Sequence, residues 1–269
     1  MATELLAPPP AVAAAQTTPL GSVATASDDT TIDRAFVLSM ARIPLLAVGW
    51  VLLAALAGWI WSMVGPEKYG NLGPVIVLAG GMILAAIIDG WAFKVPNWVT
   101  LSLVMSGWYI GILHEFNVNF VPGLNAELTG GIGSAIWGTA LGFLLLFPIL
   151  FIQGMGQGDV KMQMGFGSWC GALFGMGVGS SVILIAFCVG AVVGGVFGLV
   201  MMLIRGQFGK NKENFKAIFG DLQTLVSQGA KKASDRANSR RASWVRLPYG
   251  VPLCVGFLAY LAYRFILFV

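Results

Sequence analysis

The sequence predicts an all-α polytopic membrane protein of about seven transmembrane helices, and three observations carry that prediction. Charged side chains make up 10% of the 269 residues and hydrophobic ones 57%, against about 25% and 45–50% in soluble domains. Mean hydropathy is +0.80. The apolar residues form long unbroken runs, not the short alternating segments of a membrane barrel, and within lipid only helices or closed barrels satisfy the backbone. The composition excludes a disordered chain, a disulfide scaffold and a nucleic-acid module.

Residues 1–41 are rich in Ala, Pro and Thr, with no basic residue before Arg34. They read as a disordered tail rather than a secretory signal with a charged start. The first uncharged run, Leu45 to Val64, has 20 residues, enough to span a bilayer. Further runs follow at Leu72–Ile88, Trp98–Leu113 and Ile132–Ile152. Met162 to Ile204 is 43 residues without a charge, twice a span, and divides at Gly177–Ser181 into two antiparallel helices. Val251–Val269 makes the seventh span, its Arg264 near enough to the end to snorkel.

Loop charge sets the orientation. Residues 205–246 hold ten of the 16 basic residues and three acids, which leaves the rest of the chain at −3. That loop is expected on the cytoplasmic side, with the N-terminus inside and the C-terminus outside. Within it, Phe215, Ile218, Phe219, Leu222, Leu225 and Val226 recur at helical spacing beside Lys212, Lys216, Lys231 and Lys232. This pattern fits either an amphipathic helix on the anionic leaflet of the lipid bilayer or a soluble connector.

Small residues recur four apart, at Gly167, Gly171, Gly175 and Gly179 and again at Gly190, Gly194 and Gly198. Such ladders let helices approach closely, and the expectation is that the fifth and sixth spans meet through them. Trp50, Trp59, Trp61, Trp98 and Trp108 read as interfacial anchors. Cys170, Cys188 and Cys254 are isolated, and no cluster has metal-ligand spacing. His114, the sole histidine, is expected at an outer helix end, away from any chemistry.

Four ionisable residues stand at the inner ends of the spans: Asp89, Lys94, Asp159 and Lys161. Acids so placed are costly and mark function. The topology puts Asp89, ending the second span, and Asp159, opening the fifth, at one membrane depth. Two carboxylates in a partly dry site share a proton, the arrangement with which an acid–base pair activates water and protonates a carbonyl oxygen. The alternative is that each aspartate pairs with its neighbouring lysine, Asp89 with Lys94 and Asp159 with Lys161.

The local sequence favours the first. Asp89 is followed by Pro96-Asn97, and Asp159 lies in Gly156-Gln157-Gly158-Asp159-Val160-Lys161. A third segment, Leu247-Pro248-Tyr249-Gly250-Val251-Pro252, opens the last span. In these motifs, in this order over residues 72–269, the chain resembles the prepilin peptidases, or type IV leader peptidases, a family of intramembrane aspartic proteases. The resemblance implies Asp89 and Asp159 as the catalytic pair, shaped by Pro96, Asn97, Gly156, Gly158, Lys161, Pro248, Tyr249 and Gly250. It implies no cofactor and no metal. Larger members carry a cytoplasmic domain with paired cysteines between their first two helices; here that interval is Gly65 to Asn71, as in short, peptidase-only members. Residues 42–71 then form an accessory helix and outer loop beside the core.

The expected activity is cleavage of the basic leader of a prepilin or pseudopilin after Gly, at the cytoplasmic face of the inner membrane. A proton-coupled transporter is the rival from another class, and a non-enzymatic pilus-assembly scaffold the third reading. Glycines before Asp159 are expected to let the backbone turn sharply there.

Overall fold

A computed structural model describes residues 34–92, 95–118, 130–151, 155–204 and 249–264. Residues 1–33 of the tail, Lys94, Pro248 and the basic loop with its amphipathic segment lie outside the described residues; residues 34–41, expected to belong to the disordered tail, instead form the first turns of α1. Six α-helices follow one another: α1 (Arg34–Val64), α2 (Gly73–Ala92), α3 (Asn97–Glu115), α4 (Ile132–Phe151), α5 (Gln157–Ile204) and α6 (Gly250–Ala262), with a short 3₁₀ turn at Glu67–Tyr69. No strand occurs among the described residues. The described residues from Met40 onward belong to one compact unit.

α5 is a helical hairpin. At Gly175 the backbone takes φ 70° and ψ 179°, a conformation open to glycine and strained for any other residue. The break falls two residues before the division expected at Gly177. The two arms return on themselves: a Cβ at Gly250 would meet Asp89, and the Gly250 amide also faces Asp159 at the start of α5. Two and three residues further along α6, Pro252 packs on Gly194 and Leu253 on Gly190, late in the same helix. Seven α-helical segments result among the described residues, in the order of the seven runs expected from the sequence.

Four helical stretches are long and apolar enough to cross a membrane: Ala41–Val64, Gly73–Ala92, Ile132–Leu150 and Gln157–Met201. The protein is an all-α polytopic membrane protein. α3, at 19 residues, is more polar because it carries the hydroxyls that hold the bundle together. Ser102 Oγ accepts from Trp50 Nε1 of α1 at 3.1 Å. Trp169 Nε1, at the centre of the first arm of α5, donates to Leu103 O at 3.0 Å and Ser106 Oγ at 2.8 Å. Trp108 of α3 donates to Thr139 Oγ1 of α4 at 2.9 Å. Trp50 and Trp108 are therefore interhelical pins rather than the interfacial anchors expected, whereas Trp59 and Trp98 are exposed. Trp169→Phe keeps the ring, removes the shared N–H and should destabilise the bundle by about 1–3 kcal/mol, read as a lower Tm in detergent.

The glycine ladders do pack tightly, but mostly on other partners than expected. A Cβ at Gly167 would strike the carbonyl of Gly138, and one at Gly171 that of Ser134, both on α4. Gly190 lies against Gly256 of α6. Only Gly179, beside Cys170 and Gly171, joins the two arms of α5 as anticipated. Spacing alone gives the face of a helix, not the helix that meets it. Gly171→Val should prevent α4 from docking, with loss of the folded band in detergent size-exclusion chromatography, because here backbone and not a flexible side chain must move.

The outward faces are apolar. Leu45, Leu52, Leu56, Ile76, Ile87, Leu144, Val192 and Leu199 are exposed, while Met162, Phe166, Trp169 and Phe257 are fully buried. An apolar exterior of this extent suits lipid contact.

Candidate active site

One end of the bundle gathers the starts of α3, α5 and α6 and the end of α2. Asp89 and Asp159 are buried there, 6% and 4% exposed. Gly250 is the first residue of α6, so its N–H has no partner within the helix and is free to serve another group. It donates to Asp89 Oδ2 at 3.0 Å. The Gly250 and Gly156 amides also face the Asp159 carboxylate, which in turn is close enough to Asp89 for the two to interact electrostatically. Gly250 is thus the joint between carboxylates 70 residues apart in the chain. It must lack a side chain, since a Cβ would lie 2.8 Å from Asp89 Oδ2 and 3.1 Å from Asp89 Cγ.

The backbone bends at Met155, just before the motif, as expected, but not through glycine dihedral angles. Among the described residues, positive φ occurs only at Gly70, Gly175 and Asn117, so neither Gly156 nor Gly158 needs glycine for its backbone angles. Gly158 needs it for space: a Cβ would sit 3.1 Å from Val95 N and 3.2 Å from Val95 Cβ. This close approach seats the start of α5 against the chain entering α3. Pro96, at φ −71° and ψ 145°, is the extended residue before α3, and its carbonyl accepts from the amides of Val99 and Thr100 at 3.1 and 3.4 Å.

Asn97 does not cap the helix with its side chain. Its Oδ1 accepts from Lys161 Nζ at 2.7 Å, tying α3 to α5. The alternative pairing of Lys161 with Asp159 is replaced by this bond. Tyr249, half-buried before α6, lies within electrostatic reach of Asp159. At the opposite end of α3, His114 Nδ1 is 3.1 Å from Ala172 O and 3.4 Å from Gly130 O, a helix-to-loop link remote from the aspartates. Sequence reasoning passed over two buried polar residues near the site, Thr100 and Gln163. Gln163, four residues after Asp159 inside a long apolar run, was visible as a polar exception.

The type IV leader peptidase family matches residues 76–199. Both aspartates fall inside that segment, at the ends of the helices that bring them together. Over these residues the chain is similar to the type IV leader peptidase family. The chain is also similar to a "Prepilin leader peptidase/N-methyltransferase" of Aeromonas salmonicida, 26% identical over 174 residues, 62% of this chain and 51% of the relative. A protein of the same description from Neisseria gonorrhoeae is 26% identical over 164 residues, 61% of this chain and 49% of the relative. The chain spans about half the length of these curated relatives. No solved structure matches. Gly250 lies beyond the matched segment, so its bond to Asp89 is an observation that the family match does not contain.

Proposed function

We propose that the protein is an intramembrane aspartic endopeptidase that removes the basic leader of prepilin-like precursors, cutting after Gly at the cytoplasmic face of the inner membrane. The observation that carries this reading is the convergence of two buried carboxylates, Asp89 and Asp159, on the single amide of Gly250. A pair so placed holds one proton between its members. The ionised carboxylate takes a proton from water as the oxygen attacks the scissile carbonyl; the other gives its proton to the carbonyl oxygen. Collapse of the tetrahedral intermediate breaks the C–N bond: the protonated carboxyl gives its proton to the leaving nitrogen while the other carboxylate takes a proton from a hydroxyl of the intermediate, which restores one proton on the pair. The N-termini of α5 and α6 point their positive ends toward this chemistry and favour the negative charge that it needs.

The peptidase named in the relatives' descriptions fits this arrangement, and the proposal covers that activity alone. The proposal includes an orientation with the N-terminus and basic loop in the cytoplasm and the C-terminus outside, supported by the concentration of basic residues in 205–246, and with the basic loop against anionic lipid. The test uses the full chain in lipid vesicles with a precursor carrying a short basic leader that ends in Gly before an apolar helix. Mass spectrometry should find the product beginning immediately after that Gly. A precursor left intact, or cut elsewhere, defeats the reading.

A further inference from the structure

Among the described residues, the buried side-chain polar atoms without a hydrogen-bond partner are Thr100 Oγ1, Asp159 Oδ1, and both Nε2 and Oε1 of Gln163. They are not scattered. Asp159 and Gln163 stand four residues apart in the first two turns of α5, the spacing that stacks side chains on one helix face and at which Gln and Asp bond each other. Thr100 is in the first turn of α3. The starts of α3 and α5 run side by side, pinned by Lys161 on Asn97 and by Gly158 against Val95.

Gln163 and Thr100 are fully buried. Further along the same face of α5 the side chains are apolar: Phe166 stacks on Phe257 of α6 at 4.2 Å, and Cys170 is fully buried. Leucine or methionine would fill position 163 without the desolvation of a carboxamide. The carboxamide therefore needs a partner. One turn toward the start of α5 stands an acceptor that lacks a donor, Asp159 Oδ1.

We infer that Gln163 is a positioning residue for Asp159, its Nε2–H donating to Asp159 Oδ1 while Oε1 turns toward the hydroxyl of Thr100. The terminal torsion of Gln is soft, so rotation of the amide suffices. Asp159 is then held on both oxygens, by backbone amides on one and Gln163 on the other. Gln163 touches no substrate; it acts through Asp159. Its kinetic effect rests on the peptidase reading above, but the contact does not.

The test compares infrared spectra of the full chain in lipid nanodiscs for the wild type, Gln163→Met, Gln163→Leu, Asp159→Asn and the Gln163→Met, Asp159→Asn double variant. The band lost in Asp159→Asn identifies that carboxyl. It should shift in both apolar variants, and Gln163→Met should change nothing further in the carboxyl region once Asp159 is Asn. Two apolar shapes are used so that a packing defect of one is not mistaken for a lost bond. In precursor cleavage, kcat should fall about tenfold with KM unchanged and Tm equal or higher. An unmoved Asp159 band, or wild-type kcat in both variants, overturns the inference. A shifted band in a protein whose wild type cuts no precursor supports the Gln163–Asp159 pair and defeats the peptidase reading instead.

Discussion

Asp89→Asn and Asp159→Asn should each reduce precursor cleavage by about 10³-fold or more, while the protein still inserts and runs as a folded band. The size follows from the proposed role, in which each carboxylate moves a proton in the rate-limiting chemistry, worth about 10²–10⁴-fold for one group, whereas Asn fills the same volume but takes no part in proton transfer. The double variant should be no slower than the worse single one, because the members of one catalytic unit are not additive. Gel-resolved processing of the precursor by each variant in vesicles checks both statements. The wild type should also show a bell-shaped pH–rate curve, since activity needs one proton on the pair and fails with two or none. If either Asn variant retains that curve at full rate, the two residues do not form a pair.

Gly250→Val should cost about 10²-fold in kcat with little change in stability. The new Cβ would lie 2.8 Å from Asp89 Oδ2, so Asp89 must shift or the start of α6 must withdraw. Either displaces a reacting group by the order of an ångström, and misplacement on that scale is worth about 10²-fold. Gly90→Ala is the matched control. Its Cβ meets Val251 Cγ2 at 3.6 Å, ordinary contact, and activity should be unchanged. Equal loss in both would mean that α2 and α6 merely pack there and that the amide of Gly250 is not special.

The fold was legible in the sequence wherever the bilayer dictates it. Long uncharged runs gave each α-helical segment among the described residues, though not the start of α1 at Arg34, and even the hairpin in α5 was placed within two residues of its break at Gly175, because a 43-residue apolar run has to turn. The pairing of helices was not legible. Gly167 and Gly171 present a small-residue face whatever lies opposite, and the loop geometry that brings α4 there leaves no mark in the spacing. At the candidate site, charge scarcity picked out Asp89 and Asp159, and burial of both agrees with their standing apart. The role of Gly250 escaped because it is a backbone amide, invisible to any reading of side chains. The partner of Lys161 was not legible for a related reason: two residues from Asp159 along the chain, it is directed across the helix interface to Asn97.

That backbone joint has a bearing on the making of the protein. Residues 89, 159 and 250 leave the ribosome in that order, so a nascent chain possesses both carboxylates well before it possesses the amide between them. Until α6 is threaded into the bilayer beside α2 and the second arm of α5, Asp89 lacks its donor and the pair has no common anchor. Completion of the site is therefore tied to the final step of membrane insertion among the described helices, and a chain stalled after α5 would carry the acids without the arrangement that makes them useful.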